Sequence, residues 1–235
     1  MAGKIYMIPM TLGAENAESV MPAEALSIVK TIRYFLVENI RTARRYLILL
    51  GMKEFQDEIV YREIDKHNPD FDYSVYFKEV KEGKDLGVIS EAGCPGVADP
   101  GSTIVAAAHR NNLQVIPLIG PSSILLSLMA SGLNGQSFAF VGYLPIKNPE
   151  RAKEIRRLED LSKKYNQTQI FIETPYRNNI LIDNLTDTCS PSTMLCIACD
   201  ITLKSEYIKT APVQWWKQNK PDINKRPATF LILKK

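Results

Sequence analysis

The sequence predicts an α/β protein made of two α/β domains, and three observations carry that expectation. Short β-rich runs alternate with helical stretches along the whole of the 235-residue chain, the pattern of sheets covered by helices. The stretch Gly87–Ser123 packs together two apolar runs, each emptying into a Gly/Pro-rich loop and then a helix. Two such loops leaving consecutive strands are how an open α/β sheet builds a ligand crevice at its carboxyl edge. After 117–121, which holds two prolines and one glycine, the strand–helix pattern starts again. That segment is the expected linker. It divides the chain into an N-terminal domain over 1–117 and a C-terminal domain over 118–235.

Composition narrows the classes. Apolar residues make up 45% and charged residues 23% of the chain, values ordinary for a globular protein. No run approaches the roughly 20 apolar residues that span a bilayer. Met1-Ala2-Gly3-Lys4 leads into a short strand with no apolar leader segment and cleavage site, so a cytoplasmic protein without a membrane partner is expected. A net charge of +3 admits a nucleic-acid partner without requiring one. Cys196 and Cys199 form a C-x-x-C inside an apolar run, with no second pair, and the only histidines are His67 and His109. No metal site is expected, and the thiols read as buried packing groups.

Element by element, Lys4–Ile8 reads as a strand ended by Pro9, and Pro22 opens a helix. Tyr34–Val37 is a second strand. Ile40–Leu50 is helical by its stripe of Ile40, Ala43, Leu47 and Leu50, with Gly51 as its stop. Arg41, Arg44 and Arg45 fall on the other side of that helix, as a solvated face or as a phosphate-contacting patch. Glu58–Ile64 alternates weakly, His67–Asp70 is a turn cluster, and Tyr73–Glu82 reads as one helix closed by Gly83. Asp85–Ile89 is apolar on successive residues, as for a strand covered on both faces. Ser102 is placed to cap a helix over Thr103–Arg110. Leu113–Ile116 is a strand, and Ser122–Ser131 is a helix apolar on most sides and so expected to be buried. Beyond it come strands at Phe138–Val141, Gln169–Ile172, Met194–Ala198 and Thr229–Leu233. Helices are expected over Arg151–Lys164 and Asn179–Leu185, with a short helix or turn at Pro212–Gln218.

Several chemistries are excluded by what the loops lack. Gly96–Ser102 resembles a P-loop only superficially, because the lysine that should precede the serine is missing. There is no G-x-G-x-x-G for a dinucleotide and no G-x-S-x-G nucleophile elbow. The glycines therefore serve close backbone approach to some other ligand.

At the residue level, Ser90–Gly101, reading S-E-A-G-C-P-G-V-A-D-P-G, and Pro117–Ser123 resemble the tetrapyrrole methylase superfamily. The branch most similar is ribosomal RNA small-subunit methyltransferase I, which 2′-O-methylates a cytidine ribose of 16S rRNA. Its S-D-A-G-T-P-x-x-S-D-P-G, P-x-P-G-P-S-A, S-A-S-G-L and G-F-L-P find counterparts at Ser90–Gly101, Pro117–Ser123, Met129–Leu133 and Gly142–Pro145. Its A-E-D-T-R-x-T-R is matched by Val37–Arg44, its E-S-P-H-R by Glu173–Arg177, and its A-R-E-L-T-K by Ala198–Lys204. The chain departs at Asn39, where the branch has an acidic residue, at Cys199, where it has arginine, and at Cys94, where it has threonine.

The resemblance implies a two-domain S-adenosylmethionine-dependent methyltransferase with the cofactor cleft between its domains, usually a homodimer. It implies cofactor contacts at Ile8 and Pro9 after the first strand, and at Gly93, Cys94, Pro95 and Val97 in the central loop. Ser122 and Ser123 would offer helix N-terminal amides to the cofactor's carboxylate. Strand ends at Ile172, Glu173, Ala198, Pro227, Ala228 and Thr229 would take its adenine and ribose. For a ribose hydroxyl, a poor nucleophile, Glu38 is the candidate base with Arg41 close by. Arg44, Arg45 and Arg177 are candidate contacts to ribosomal RNA phosphates, together with Arg41. Two alternatives stand beside this reading: a same-fold enzyme acting on a small molecule such as a tetrapyrrole, and a non-catalytic cofactor-binding relative. Replacing Arg41 and Arg44 together with Ala is expected to weaken RNA binding and flatten its salt dependence, which a titration at several salt concentrations measures.

Overall fold

The computed structural model describes residues 2–64 and 71–235, so the expected turn at His67–Asp70 lies outside the described residues. The chain divides into two compact units, Met1–Ser122 and Ser123–Lys235.

The first unit runs β1 (Ile5–Ile8), α1 (Ala23–Thr31), β2 (Tyr34–Val37), α2 (Ile40–Leu49), β3 (Val60–Glu63), α3 (Lys78–Lys81), β4 (Leu86–Ile89), α4 (Gly101–Arg110) and β5 (Val115–Pro117). Its five strands lie in the order β3-β2-β4-β1-β5, and all pair in parallel. β1 and β4 are buried at every position, which is why their sequences are continuously apolar rather than alternating. One sheet face carries Ile8, Phe35, Val37 and Ile89 against Leu26 and Val29 of α1 and Ala43 and Leu47 of α2. The other carries Ile5, Met7, Leu36 and Val88 against Ile104, Ala107 and Ala108 of α4.

Three expectations in this unit change. The helix over Tyr73–Glu82 is broken into a 3₁₀ turn at Tyr73–Tyr76 and the short α3. The Asp72 carboxylate accepts the Ser74 N–H (3.0 Å) and the Phe77 N–H closes onto the Ser74 carbonyl (3.0 Å), drawing the fully buried Phe77 into the core. Ser102 is not the cap of α4, which already starts at Gly101. The segment 117–121 is not a free linker over its length. Pro117 pairs with Met7, and the Leu118 N–H donates to the Met7 carbonyl (2.9 Å), so the chain stays on the first sheet at that point.

The second unit runs α5 (Ser123–Ser131), β6 (Phe138–Tyr143), α6 (Glu150–Tyr165), β7 (Thr168–Ile172), α7 (Asn178–Thr188), β8 (Met194–Cys199), β9 (Tyr207–Pro212), α8 (Val213–Trp216) and β10 (Ala228–Leu233). Its strand order is β6-β7-β10-β8-β9. β6 and β7 are parallel, and the remaining pairs are antiparallel. Leu195, Ile197, Phe230 and Ile232 face α6, α7 and α8. Cys196, Ile170 and Leu231 face α5. The two thiols of the C-x-x-C therefore point to opposite faces of one sheet. Burial pushes each of them up to about 11, and the described residues contain no cluster suited to a metal ion.

α5 is not buried on most sides: it packs through Leu128, while Leu125 and Met129 stay exposed. β9 escapes the sequence reading because it is a half-exposed edge strand that ends in a proline, with too little apolar patterning to register. Phe171 and Phe230 stack at 6.2 Å between ring centroids in the larger core of this unit. Phe230→Ala is expected to destabilise the second unit by about 3–5 kcal/mol, read from its denaturant midpoint.

Candidate active site

All strands of the first sheet being parallel, Ile8, Val37, Ile89 and Pro117 end on one edge. β1 and β4 are neighbours at its centre, yet β1 leads to α1 on one face and β4 to α4 on the other. This is a topological switch point, where open α/β sheets place their ligands. The loops leaving the two strands are tied together, the Met10 N–H donating to the Gly93 carbonyl (2.8 Å). Behind them the buried Tyr46 hydroxyl donates to the Pro9 carbonyl (2.7 Å). Burial raises the Tyr46 hydroxyl far above its usual value, so it stays a donor.

The loop 90–100 takes its shape from two carboxylates. Asp99 Oδ1 accepts the N–H groups of both Gly96 and Gly101, each at 2.7 Å. Gly101 has no room for a side chain, since a Cβ there would stand 2.7 Å from the Gly96 nitrogen. Burial raises the Asp99 carboxyl, the two amides pull it partly back, and the nearby Glu38 charge raises it further. At the other end of the loop the Glu38 carboxylate accepts the Glu91 N–H (2.7 Å). Asn39, which stands where the related branch has an acid, serves as the N-cap of α2, its side-chain oxygen accepting the Thr42 N–H (3.1 Å).

Cys94 turns its thiol to the Pro121 carbonyl (3.5 Å), and burial with the Asp99 charge pushes it up. It is a packing group. Val97 is 48% exposed on the loop crest. Arg41, Arg44 and Arg45 are all exposed on α2, with the Arg44 guanidinium lying 5.5 Å from the Tyr61 ring centroid.

In the second unit three nominated positions fall in one row. Thr229 sits in β10 directly between Ile172 of β7 and Ala198 of β8. Ala228 is paired with Cys199, and the Pro227 carbonyl accepts the Asp200 N–H (2.9 Å). Glu173, just past β7, is buried and doubly paired. Arg151 reaches its Oε2 at 3.1 Å and Arg177 its Oε1 at 2.7 Å. Arg151 also donates to the Pro145 carbonyl (2.6 Å) and to Asn184 Oδ1 (3.2 Å). One buried guanidinium thus fixes the ends of β6 and β7 and the side of α7.

Arg151, Tyr46 and Asp99 were not nominated from sequence. Arg151 lies in a strongly charged helix where a buried arginine looks like any surface charge. Asp99 had a local signal, a carboxylate placed between two glycines in a turn. Tyr46 had only its place on the apolar stripe.

The chain superposes on the crystal structure of the methyltransferase CobJ with a TM-score of 0.64 at 16% identity, over 99% of this chain and 94% of that one. It also superposes on a uroporphyrin-III C-methyltransferase from Thermus thermophilus, solved with S-adenyl homocysteine, with a TM-score of 0.57 at 14% identity, over 99% and 98% of the two chains. The fold is that of the tetrapyrrole methyltransferases. No family model matches the chain. Its sequence is 30% identical over 236 residues to the ribosomal RNA small subunit methyltransferase I of Buchnera aphidicola subsp. Schizaphis graminum, covering 98% of this chain and 78% of that protein. It is 26% identical over 238 residues to the protein of the same name from Escherichia coli O157:H7, with coverages of 98% and 77%. Against that of Bacillus subtilis it is 32% identical over 176 residues, 74% of this chain and 56% of the relative. The chain belongs to the ribosomal RNA small subunit methyltransferase I family.

Burial by itself would raise the Glu173 carboxyl, but Arg177, the Thr174 N–H and Arg151 outweigh it and hold the group below its usual range. A carboxylate held low adds stability above the ordinary carboxylate range, and that stability is lost as pH falls through its depressed value. Arg151→Met is expected to destabilise the second unit by up to about 3–5 kcal/mol at neutral pH, because Glu173 Oε2 is left buried without its cation while Arg177 holds only Oε1. The deficit should shrink at acidic pH, where the variant's Glu173, held down less without Arg151, takes up a proton before the wild-type group does. Urea unfolding of both proteins at the two pH values checks this.

Proposed function

We propose that this protein transfers the methyl group of S-adenosylmethionine to a ribose 2′-hydroxyl of 16S ribosomal RNA. The observation that carries the reading is the braced, backbone-lined loop 90–100 at the switch point of a parallel sheet, in a chain belonging to this family. The loop suits the cofactor chemically. It presents main-chain groups, the soft side chains of Cys94 and Val97, and a buried Asp99 Oδ2 with no hydrogen-bond partner among the described residues. It carries no lysine for a polyphosphate.

In the first unit, Ile8, Pro9, Gly93, Cys94, Pro95 and Val97 would contact the cofactor through backbone and small apolar groups, and Ser122 would stand beside its carboxylate. In the second, Ser123 opens α5, and the positive end of a helix suits that carboxylate. Ile172, Ala198, Pro227, Ala228 and Thr229 would take the adenosine along the sheet row. Glu173 would contribute its main chain, since its carboxylate is held by two arginines. When bound, the cofactor supplies a methyl group already activated on sulfonium sulfur. What remains for the protein is alignment of the acceptor, exclusion of water and removal of one proton. Glu38, at the end of β2, is the carboxylate proposed to take that proton. Arg41, one turn on, would face the acceptor, and Arg44, Arg45 and Arg177 would meet RNA phosphates. We infer a cytoplasmic homodimer as the working form. Among the described residues no helix is long and apolar enough to cross a membrane.

The superposition on tetrapyrrole enzymes supports a second reading, a small-molecule acceptor. Labelled-methyl transfer to small ribosomal subunits from cells lacking the protein separates the two. Incorporation into 16S RNA is expected, and cofactor binding without incorporation would favour the small molecule or a non-catalytic relative. In the same assay Glu38→Gln should lower kcat by about 10²–10⁴-fold. Cofactor affinity should be kept, because the amide oxygen still accepts the Glu91 N–H.

A further inference from the structure

We propose that Tyr143 and Tyr176 form a stacking platform for an unpaired RNA base beside Arg177, so that the second unit grips the strand carrying the acceptor. The inference rests on the RNA-methyltransferase reading above and adds to it the residues that would hold the base.

The sheet brings both residues to the end of β7. β6 and β7 run parallel in regular register as far as Phe140 opposite Ile170, and the next pair is Tyr143 opposite Ile172. One extra residue has been inserted on β6, a bulge that passes through Gly142 at φ +73°. Such a bulge re-aims the following side chain, and here it extends the row Ile172–Thr229–Ala198 by Tyr143 at the sheet edge. Tyr176 lies in the 3₁₀ turn Pro175–Arg177, which follows β7 and Glu173.

Both rings are open to solvent, Tyr143 at 60% and Tyr176 at 72% exposure. Among the described residues neither packs against another aromatic ring. Two large exposed rings at a nominated site have no packing role to explain them. At the same strand end Arg151 and Arg177 share the single Glu173 carboxylate, which leaves one net positive charge. The Arg177 guanidinium is held charged by Glu173 above all, with the Tyr143 hydroxyl adding to the effect. Exposed aromatic rings beside a fixed positive charge match a single-stranded nucleic acid, whose bases stack while its phosphates meet the cation.

The test uses the full chain, a short unstructured fluorescein-labelled RNA, and small ribosomal subunits from cells lacking the protein. Tyr143→Ala and Tyr176→Ala should each weaken RNA binding and raise the KM for subunits by about five- to a hundred-fold. The salt dependence of binding should keep its slope, because no charge is removed. Tyr143→Phe and Tyr176→Phe, which keep the ring, should stay within about twofold of wild type on the scale of a stacking contact. Calorimetric binding of S-adenosylhomocysteine should be unchanged in all four variants. Wild-type-like KM in the Ala variants, while the wild type methylates subunits, would overturn the platform and leave the RNA reading intact. No methyl transfer to RNA by the wild type would bring down that reading and the platform with it. A porphyrin whose binding is lost in the Ala variants while RNA binding persists would also overturn it, assigning the rings to a macrocycle.

Discussion

Asp99 holds the first unit's site in shape. Its Oδ1 draws the N–H groups of Gly96 and Gly101 onto one point, closing the loop after β4 into a tight ring just where α4 begins. Two amide N–H groups on one carboxyl oxygen offset part of what its burial costs. Earlier in the same loop the Gly93 carbonyl receives the Met10 N–H. Without that tie the two central loops would be separate surface excursions. With it they form one continuous edge over β1 and β4. Glu38 braces the same loop at its start through Glu91, so a residue nominated for proton transfer also has a share in the architecture.

The second unit solves a comparable problem with charge. Glu173 sits where β7 ends, with a side chain that is almost fully buried, and a lone carboxylate there would be strongly disfavoured. Arg151 and Arg177 meet its two oxygens separately. Arg151 uses its remaining donors on the Pro145 carbonyl and Asn184, so the charge also fixes the exit of β6 and the flank of α7. Such a buried ionic group adds less to stability than to definition, since apolar replacements of the whole set can be as stable. Its use here is to hold strand ends in one arrangement, and Tyr143 and Tyr176 are exposed close to it in the fold.

Much of the fold was legible along the chain. The strands at Ile5–Ile8, Tyr34–Val37 and Leu86–Ile89 announce themselves by unbroken apolar runs, and α2 by its stripe and the glycine that ends it. These are signals of local spacing, and spacing is what a sequence displays directly. β9 and the broken helix over 73–82 were not legible. Their form depends on a neighbouring strand and on one phenylalanine entering the core, and neither leaves a local trace. The candidate site divides in the same way. The loop glycines and the strand-end motifs could be nominated from residues, whereas Tyr46, Arg151 and the outward aim of Tyr143 act through partners distant in sequence.

By itself the sequence determined the α/β class, the order of strands and helices apart from β9 and the broken helix over 73–82, the loops that leave the strand ends, and, through its motifs, the family. Those properties follow from periodicity, turn chemistry and residue identity at short range. Only the tertiary structure decided that the first sheet is wholly parallel while the second is mixed, and that the C-x-x-C thiols lie on opposite faces. It also decided that Ile172, Thr229 and Ala198 share one row, and that Arg151 and Glu173, separated in the chain, meet in the interior. Strand pairing and buried charge are contacts at long range, set by which surfaces remain to be covered once the local elements have formed.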